Sequence, residues 1–376
     1  MRTVVQVFGS LNAGGAESRM MDVFRSIDRS MYHFVFLCLD TSEGQFYEEE
    51  IHSLGGEIIK IESPRQVGVW CHLKQLQTLF VKLRAEGKAD CVHAHTSYHI
   101  GIVLLAAYKA RIPVRISHAR TTSSINRGGL ANKFMIAVGK RLIKSLATNK
   151  LALNEETALS LYGSTKDVQI IPNAIPLKLY SSAQTSDIYT DIPAKTKVIC
   201  HIGRFQPMKN HEFLLKLFAA YINGHPDSWM ILVGDGPLRP AMELRAKELG
   251  IDHRIIFTGL RRDIPQILSR ASIFVFPSQY EGLGGVVLEA QAAGVNCVVS
   301  DTLPRNVDMG LDMVDFISLD MPLANWMKAI EKSMSKPRPN YALRYEAFDK
   351  RGFTLEYEIK LLKSIYENAN YNHNNV

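Results

Sequence analysis

Short apolar runs of strand length recur along this chain with helical patterns between them, and that alternation restricts it to a layered α/β fold built on parallel sheet. In the first half the runs are TVVQVF at 3–8, HFVFLCL at 33–39, EIIKI at 57–61, CVHAH at 91–95, VRISH at 114–118, LALN at 151–154 and VQIIP at 168–172. In the second half they are VICHIG at 198–203, WMILVGDG at 229–236, RIIFTG at 254–259, IFVFPS at 273–278 and NCVVSD at 296–301. Such near-continuous apolar strands are those of sheets covered on both faces. Helices are expected over about 18–27 and 130–150, and LEYEIKLLKSIYENA at 355–369 reads as a final helix.

A polar stretch over 183–197 separates the two series and reads as a linker. The organisation expected is therefore two Rossmann-like domains with parallel sheets facing a central cleft. Residues 1–180 form the first and 181–352 the second, and a helix over about 353–376 packs back on the first with a frayed end. A chain of 376 residues has the length to bury two such cores.

The segment EGLGGVVLEAQAAG, residues 281–294, follows IFVFPS directly. Strand, glycine-rich turn and helix leave unpaired backbone N–H groups at the helix start, where a diphosphate or sugar hydroxyls can be received. Gly282, Gly284 and Gly285 keep side chains out of the approach. Glu281 lies in the turn and Glu289 in the helix, and both can accept hydrogen bonds from hydroxyls, so the pattern points to a sugar nucleotide. GRFQPMKN at 203–210 places Arg204 and Lys209 in one loop after the first strand of the second series. Two cations there suit charge that grows on a leaving phosphate. Gly14 and Gly15 stand at another helix start, without the G-x-G-x-x-G or Lys-Ser/Thr features of dinucleotide or ATP loops. VGDGP at 233–237 reads as a structural turn. His93, His95 and His118 close strands at the edge where α/β sheets bind ligands, and His118 is the first choice among them. No D-x-D pair occurs, so no metal ion is expected and charge on the leaving group falls to Arg204, Lys209 and backbone dipoles.

Charge is uneven. Residues 1–180 hold 22 basic and 15 acidic side chains, whereas 181–376 hold 22 of each. Between Asp90 and Glu155 there are ten basic residues and no acidic one. Within this stretch, residues 130–150 combine Lys133, Lys140, Arg141, Lys144 and Lys150 with Phe134, Met135, Val138, Leu142 and Leu146 at helical spacing. Such a helix suits an anionic membrane surface or a phosphate-bearing acceptor, or else packs on the core with its basic face in solvent. No recognisable nucleic-acid module contains these cations. No apolar run approaches the ~20 residues of a membrane span, and the first strand-like run is too short for a signal-peptide core. Five cysteines without a C-x-x-C pair indicate reduced thiols. A cytoplasmic protein, peripheral at the membrane, is expected.

Taken together, these elements resemble the retaining glycosyltransferases of the GT-B fold, family 4, and especially the branch associated with capsule and exopolysaccharide synthesis. The matching elements are GGAE at 14–17, VHAH, SHAR, IPN at 171–173, GRF with the following KN, VGDGP, FPSQYEGLGGVVLEAQAAG and FISL at 316–319. The resemblance implies that Glu281 contacts the donor sugar, Glu289 the ribose, and the backbone of Leu283, Gly284, Gly285 and Val286 the sugar and diphosphate. It also implies that Arg204 and Lys209, with Gly203 in their loop, hold the diphosphate, that Gly15 approaches it from the first domain, that His118 contacts the hexose, and that the backbone near Arg261 meets the base. Pro176 stands where family members often carry an aspartate, and Leu283 where phenylalanine is common. The activity implied is metal-independent transfer of a hexose or N-acetylhexosamine from an NDP-sugar, with UDP as nucleotide, to a hydroxyl of a lipid-linked saccharide at the inner face of the cytoplasmic membrane. A sugar-nucleotide epimerase of similar build and a silent sugar-nucleotide-binding protein are the alternatives.

Overall fold

Seven parallel strands make the sheet of the first unit in a computed structural model that describes residues 1–12, 14–121 and 129–367. They are β1 (Arg2–Phe8), β2 (Tyr32–Cys38), β3 (Glu57–Lys60), β4 (Cys91–Ala94), β5 (Val114–Ala119), β6 (Asn149–Ala152) and β7 (Gln169–Ile170). Their order is β3-β2-β1-β4-β5-β6-β7. The order reverses between β1 and β4, where Val4 pairs with Cys91 and Val7 with Ala94. Alternation along β1 sends Val4 and Phe8 into one buried layer and Val5 and Val7 into the other, so helices cover both faces. Arg127 and residues 368–376, which enter the sequence expectations for the basic stretch and the final helix, lie outside the described residues.

The second unit repeats the plan with β8 (Val198–Ile202), β9 (Trp229–Val233), β10 (Ile255–Gly259), β11 (Ile273–Phe276), β12 (Cys297–Ser300) and β13 (Val314–Ile317) in the order β10-β9-β8-β11-β12-β13. All pairings are parallel, and the order reverses between β8 and β11. Strand β13, partly exposed over Asp315–Ile317, had no sequence signal strong enough to separate it from loop.

The division of the chain differs from expectation. The first unit comprises Met1–Ala174 and the residues from Leu355 on, and the second Ile175–Thr354. Residues 175–180 belong to the second unit because Ile175, Leu177 and Tyr180 are buried in its core. The polar stretch at 183–197 is not a free linker either. Tyr189 and Ile192 enter the same core, the Tyr189 hydroxyl donates to the Ile267 carbonyl at 2.6 Å, and the Arg270 guanidinium lies 4.8 Å from the Tyr189 ring. The helix Leu355–Glu367 buries Leu361, Leu362, Ile365 and Tyr366 in the layer that holds Val4 and Phe34 of the first sheet.

The basic helix runs Leu130–Leu146, and Met135 and Leu146 of the expected apolar stripe pack against the core, but Phe134 does not. Phe134 is 67% exposed, while Ile136 and Ile143 are buried. The cause is a backbone contact: a Cβ on Gly101, in the helix Ile100–Lys109, would stand 2.9 Å from the Gly139 Cα. That approach turns Gly139 inward and rotates Phe134 outward. Among the described residues no helix is long and apolar enough to cross a membrane.

Candidate functional site

In the second unit the reversal of strand order at β8 and β11 brings together two loops that lie 70 residues apart in the chain. Gly203 and the exposed Arg204 follow β8, and a short 3-10 turn, Pro207–Lys209, ends at the left-handed Asn210. Pro277 to Gly284 follow β11 and lead into the helix Gly285–Ala292. The Gln279 N–H donates to the Met208 carbonyl at 2.8 Å, which locks one loop on the other. The Ser278 hydroxyl lies 2.7 Å from Glu281 Oε1 and 2.9 Å from the Met208 carbonyl oxygen. As a result the Lys209 ammonium is ion-paired with the Glu281 carboxylate, and both side chains are largely buried. Lys209 Nζ also lies 5.0 Å from the centre of the Phe276 ring. The two residues, expected to grip different parts of a ligand, are thus partners of each other in this state.

Gly284 has φ of +81° and stands at the N-cap of Gly285–Ala292, where no side chain caps the helix. Only glycine holds this left-handed position without strain. At Gly282 and Gly285 a Cβ would meet nothing within 4 Å, so the helix start is open on that side. Gly284→Ala is expected to lower stability by about 1–2 kcal/mol, since its Cβ also meets Leu303 at 3.2 Å, and to shift the thermal midpoint downward by a few degrees. Glu289 is buried on the same helix and Leu283 packs on the core beside it. The Arg261 side chain, by contrast, is committed to Asp263 (2.7 Å) and Asp187 (2.6 Å). The turn at 233–237 is structural: the Gly234 N–H donates to the Gly259 carbonyl at 2.9 Å, and the Phe205 N–H to the Asp235 carbonyl at 3.0 Å.

Gly15 and His118 belong to the first unit. Gly15 opens the helix Gly15–Ser26, and a Cβ there would meet nothing within 4 Å. His118, near the end of β5, is completely buried, as is His93 on β4. His93 Nε2 is 3.0 Å from His118 Nδ1, with the two rings 3° from coplanar. Burial, with the Arg120 guanidinium nearby, pushes both imidazoles well below the usual histidine range, so they are neutral near pH 7. Among the described residues His118 Nε2 has no hydrogen-bond partner. Nitrogens of His93, His95 and His118 all lie within 4.8 Å of one another, a spacing that could hold a metal ion. Five of these six ring nitrogens, however, already meet Tyr366, Gln6, Arg120 or each other.

Two features escaped the sequence reading. A cavity of about 1080 Å³ in the first unit is bordered by Gly9 after β1, Asp40 after β2 and Thr96 after β4, with Arg65, His99 and Asn132. Its residues are scattered from Gly9 to Met135 and share no motif. From the final helix, Tyr366 meets Gln6 on β1 and His93 on β4, and Glu358 meets the Ala174 N–H, and only an expected helical periodicity marked that segment.

The chain matches the family models for glycosyl transferases group 1 over residues 184–309 and for the glycosyl transferase 4-like domain over 14–164. It is 31% identical over 373 residues to a putative glycosyltransferase, EpsF, of Bacillus subtilis, covering 97% of this chain and 96% of the relative. The chain belongs to the GT-B glycosyltransferases of family 4. This glycosyltransferase is also 28% identical over 257 residues to the UDP-Gal:alpha-D-GlcNAc-diphosphoundecaprenol alpha-1,3-galactosyltransferase of Escherichia coli, with 64% of this chain and 65% of that one covered. Among solved structures, Anabaena HepE in complex with UDP shares the fold of the glycosyltransferase with a TM-score of 0.73 and 18% identity, over 97% of this chain and 100% of the other. Neither the epimerase nor the silent binding protein is favoured by these matches.

Proposed function

We propose that this glycosyltransferase moves a hexose or N-acetylhexosamine from an NDP-sugar, with UDP as the nucleotide, to a hydroxyl of a lipid-linked saccharide in capsule, exopolysaccharide or O-antigen synthesis, with retention of configuration. The observation that carries the reading is the Lys209–Glu281 pair beside an uncapped helix start, at the point where the strand order of the second sheet reverses. The relative from E. coli, named for a UDP-sugar donor and a diphosphoundecaprenol-linked acceptor, supports the donor and acceptor classes.

In this reading the backbone of Leu283, Gly284, Gly285 and Val286 receives the diphosphate and sugar, Glu289 accepts from the ribose hydroxyls and Glu281 from a sugar hydroxyl. The backbone near Arg261 meets the base. Arg204 and Lys209 stabilise the charge that grows as the anomeric C–O bond breaks. The acceptor oxygen attacks from the face the phosphate leaves, and its proton passes to the departing phosphate oxygen, so no separate base and no metal ion is required. His118 and Gly15 supply sugar and diphosphate contacts from the first unit. The cavity bordered by Asp40, Arg65 and Thr96 suits the acceptor saccharide. A basic cavity of about 720 Å³, lined by Lys140, Arg141, Lys144, Lys150 and Lys166, suits anionic lipid and supports a peripheral place at the inner membrane face.

The test is NDP release from a panel of sugar nucleotides, with chelator present and membrane lipid extract as acceptor source. Release from one donor that depends on the extract and ignores the chelator is the expected result. Release abolished by chelator removes the metal-independent mechanism, and hydrolysis that ignores the extract removes the lipid-linked acceptor.

A further inference from the structure

The buried side chains around His118 form a hydrogen-bonded series whose direction is set at one end. Arg120 can only donate, and its Nε–H faces His95 Nδ1 at 3.4 Å. Burial keeps His95 neutral, so with Nδ1 accepting, its proton sits on Nε2, 3.0 Å from the Gln6 side-chain oxygen. The other end of that amide, Gln6 Nε2, donates to the Tyr366 hydroxyl at 3.1 Å. Burial also pushes the Tyr366 phenol well above its ordinary range, so the hydroxyl keeps its proton and directs it to His93 Nδ1 at 3.1 Å. His93 must then carry its own proton on Nε2 and donate to His118 Nδ1 at 3.0 Å. A neutral His118 whose Nδ1 accepts has its proton on Nε2, the one ring nitrogen of the three without a partner among the described residues.

We propose that Tyr366 is a positioning residue which, through His93, holds His118 in the tautomer that presents an Nε2–H donor. The ligand chemistry this selects is an oxygen lone pair, of a saccharide hydroxyl or a phosphoryl group, and His118 does not act as a base. Tyr366 lies 273 positions from His93 and is delivered by the final helix Leu355–Glu367, which gives that returning helix a role in the reaction besides packing. The ligand assignment rests on the function proposed above, whereas the proton order rests on the hydrogen bonds and on burial keeping the three rings neutral.

The experiment is long-range ¹H–¹⁵N correlation on imidazole-labelled full-length protein, with the His118 signals assigned by their loss in His118→Asn. It is repeated on Tyr366→Phe alongside assays of donor turnover. The wild-type spectrum should show His118 protonated at Nε2, and Tyr366→Phe should populate the Nδ1–H form while NDP release falls on the order of tenfold. Protonation at Nδ1 in the wild type overturns the proposal, and this measurement stands even if the variant fails to fold. An unchanged His118 tautomer in a folded Tyr366→Phe overturns the role of Tyr366. A shifted tautomer with unchanged turnover upholds the proton order and instead removes His118 from the proposed ligand contacts.

Discussion

Glu281→Ala and Lys209→Ala are each expected to lower NDP release by about 10²–10³-fold, the range for losing a fixed group aimed at developing charge. The two losses should not multiply. Lys209 and Glu281 are ion-paired, and Glu281 is tied in turn to Ser278, so removing either residue leaves the other without its orienting partner. The double variant should therefore be no more than a few-fold slower than the worse single. Circular dichroism should be unchanged, because the pair lies in loops after β8 and β11 and not within the strands. Wild-type rates in both single variants would remove this pair from the reaction, and a double variant that loses the product of the two factors would show that the residues act independently.

Glu358→Gln is expected to change the pH dependence of stability. The Glu358 carboxyl is fully buried, and loss of solvation raises it from 4.5 to about 7, against the lowering effects of the Arg120 charge, the Ala174 N–H and Arg19, while Asp22 raises it further. Because the folded-state value is the higher one, the folded protein binds more protons than the unfolded chain between pH 4.5 and about 7. Stability therefore falls as pH rises through that window, and the full cost, about 3 kcal/mol, is present above it. Glutamine carries no such charge and can still accept from the Ala174 N–H, which lies 3.4 Å from Glu358 Oε2. Relative to wild type, Glu358→Gln should gain up to about 3 kcal/mol in urea unfolding as pH is raised from 5 to 8. Parallel stability curves across that range would show that Glu358 is already ionised in the folded protein at pH 5.

Most strands were legible because a parallel strand buried on both faces writes itself as an unbroken apolar run. Val198–Ile202 and Ile273–Phe276 are of this kind, and their ends lie within two residues of the expected ones. Strand β6 is displaced by two residues, to Asn149–Ala152, because Asn149 and Lys150 carry no apolar signal although their backbone pairs with β5. The domain boundary was misplaced for a related reason. Residues 183–197 are polar on average, and that average conceals Ser186, Tyr189 and Ile192, which are buried among mostly exposed neighbours. Phe134 failed in the opposite way: helical periodicity marks an apolar stripe, but which side of the helix meets the core depended on the Gly101–Gly139 contact.

Each local unit, a strand running into a loop and a helix, was legible from the chain alone, as were the side chains its loops hold: Glu281 and the open glycines after one strand, Arg204 and Lys209 after another. Periodicity and turn residues are short-range properties, and they are written in adjacent positions. Which units are neighbours follows from the packing of the whole chain. The order β9-β8-β11-β12 sets Lys209 on Glu281, and the return of the final helix sets Tyr366 on His93. Parallel strands are joined through crossovers of about a dozen residues or more, so their pairing follows from burying whole faces against each other and not from any stretch of chain that can be read alone.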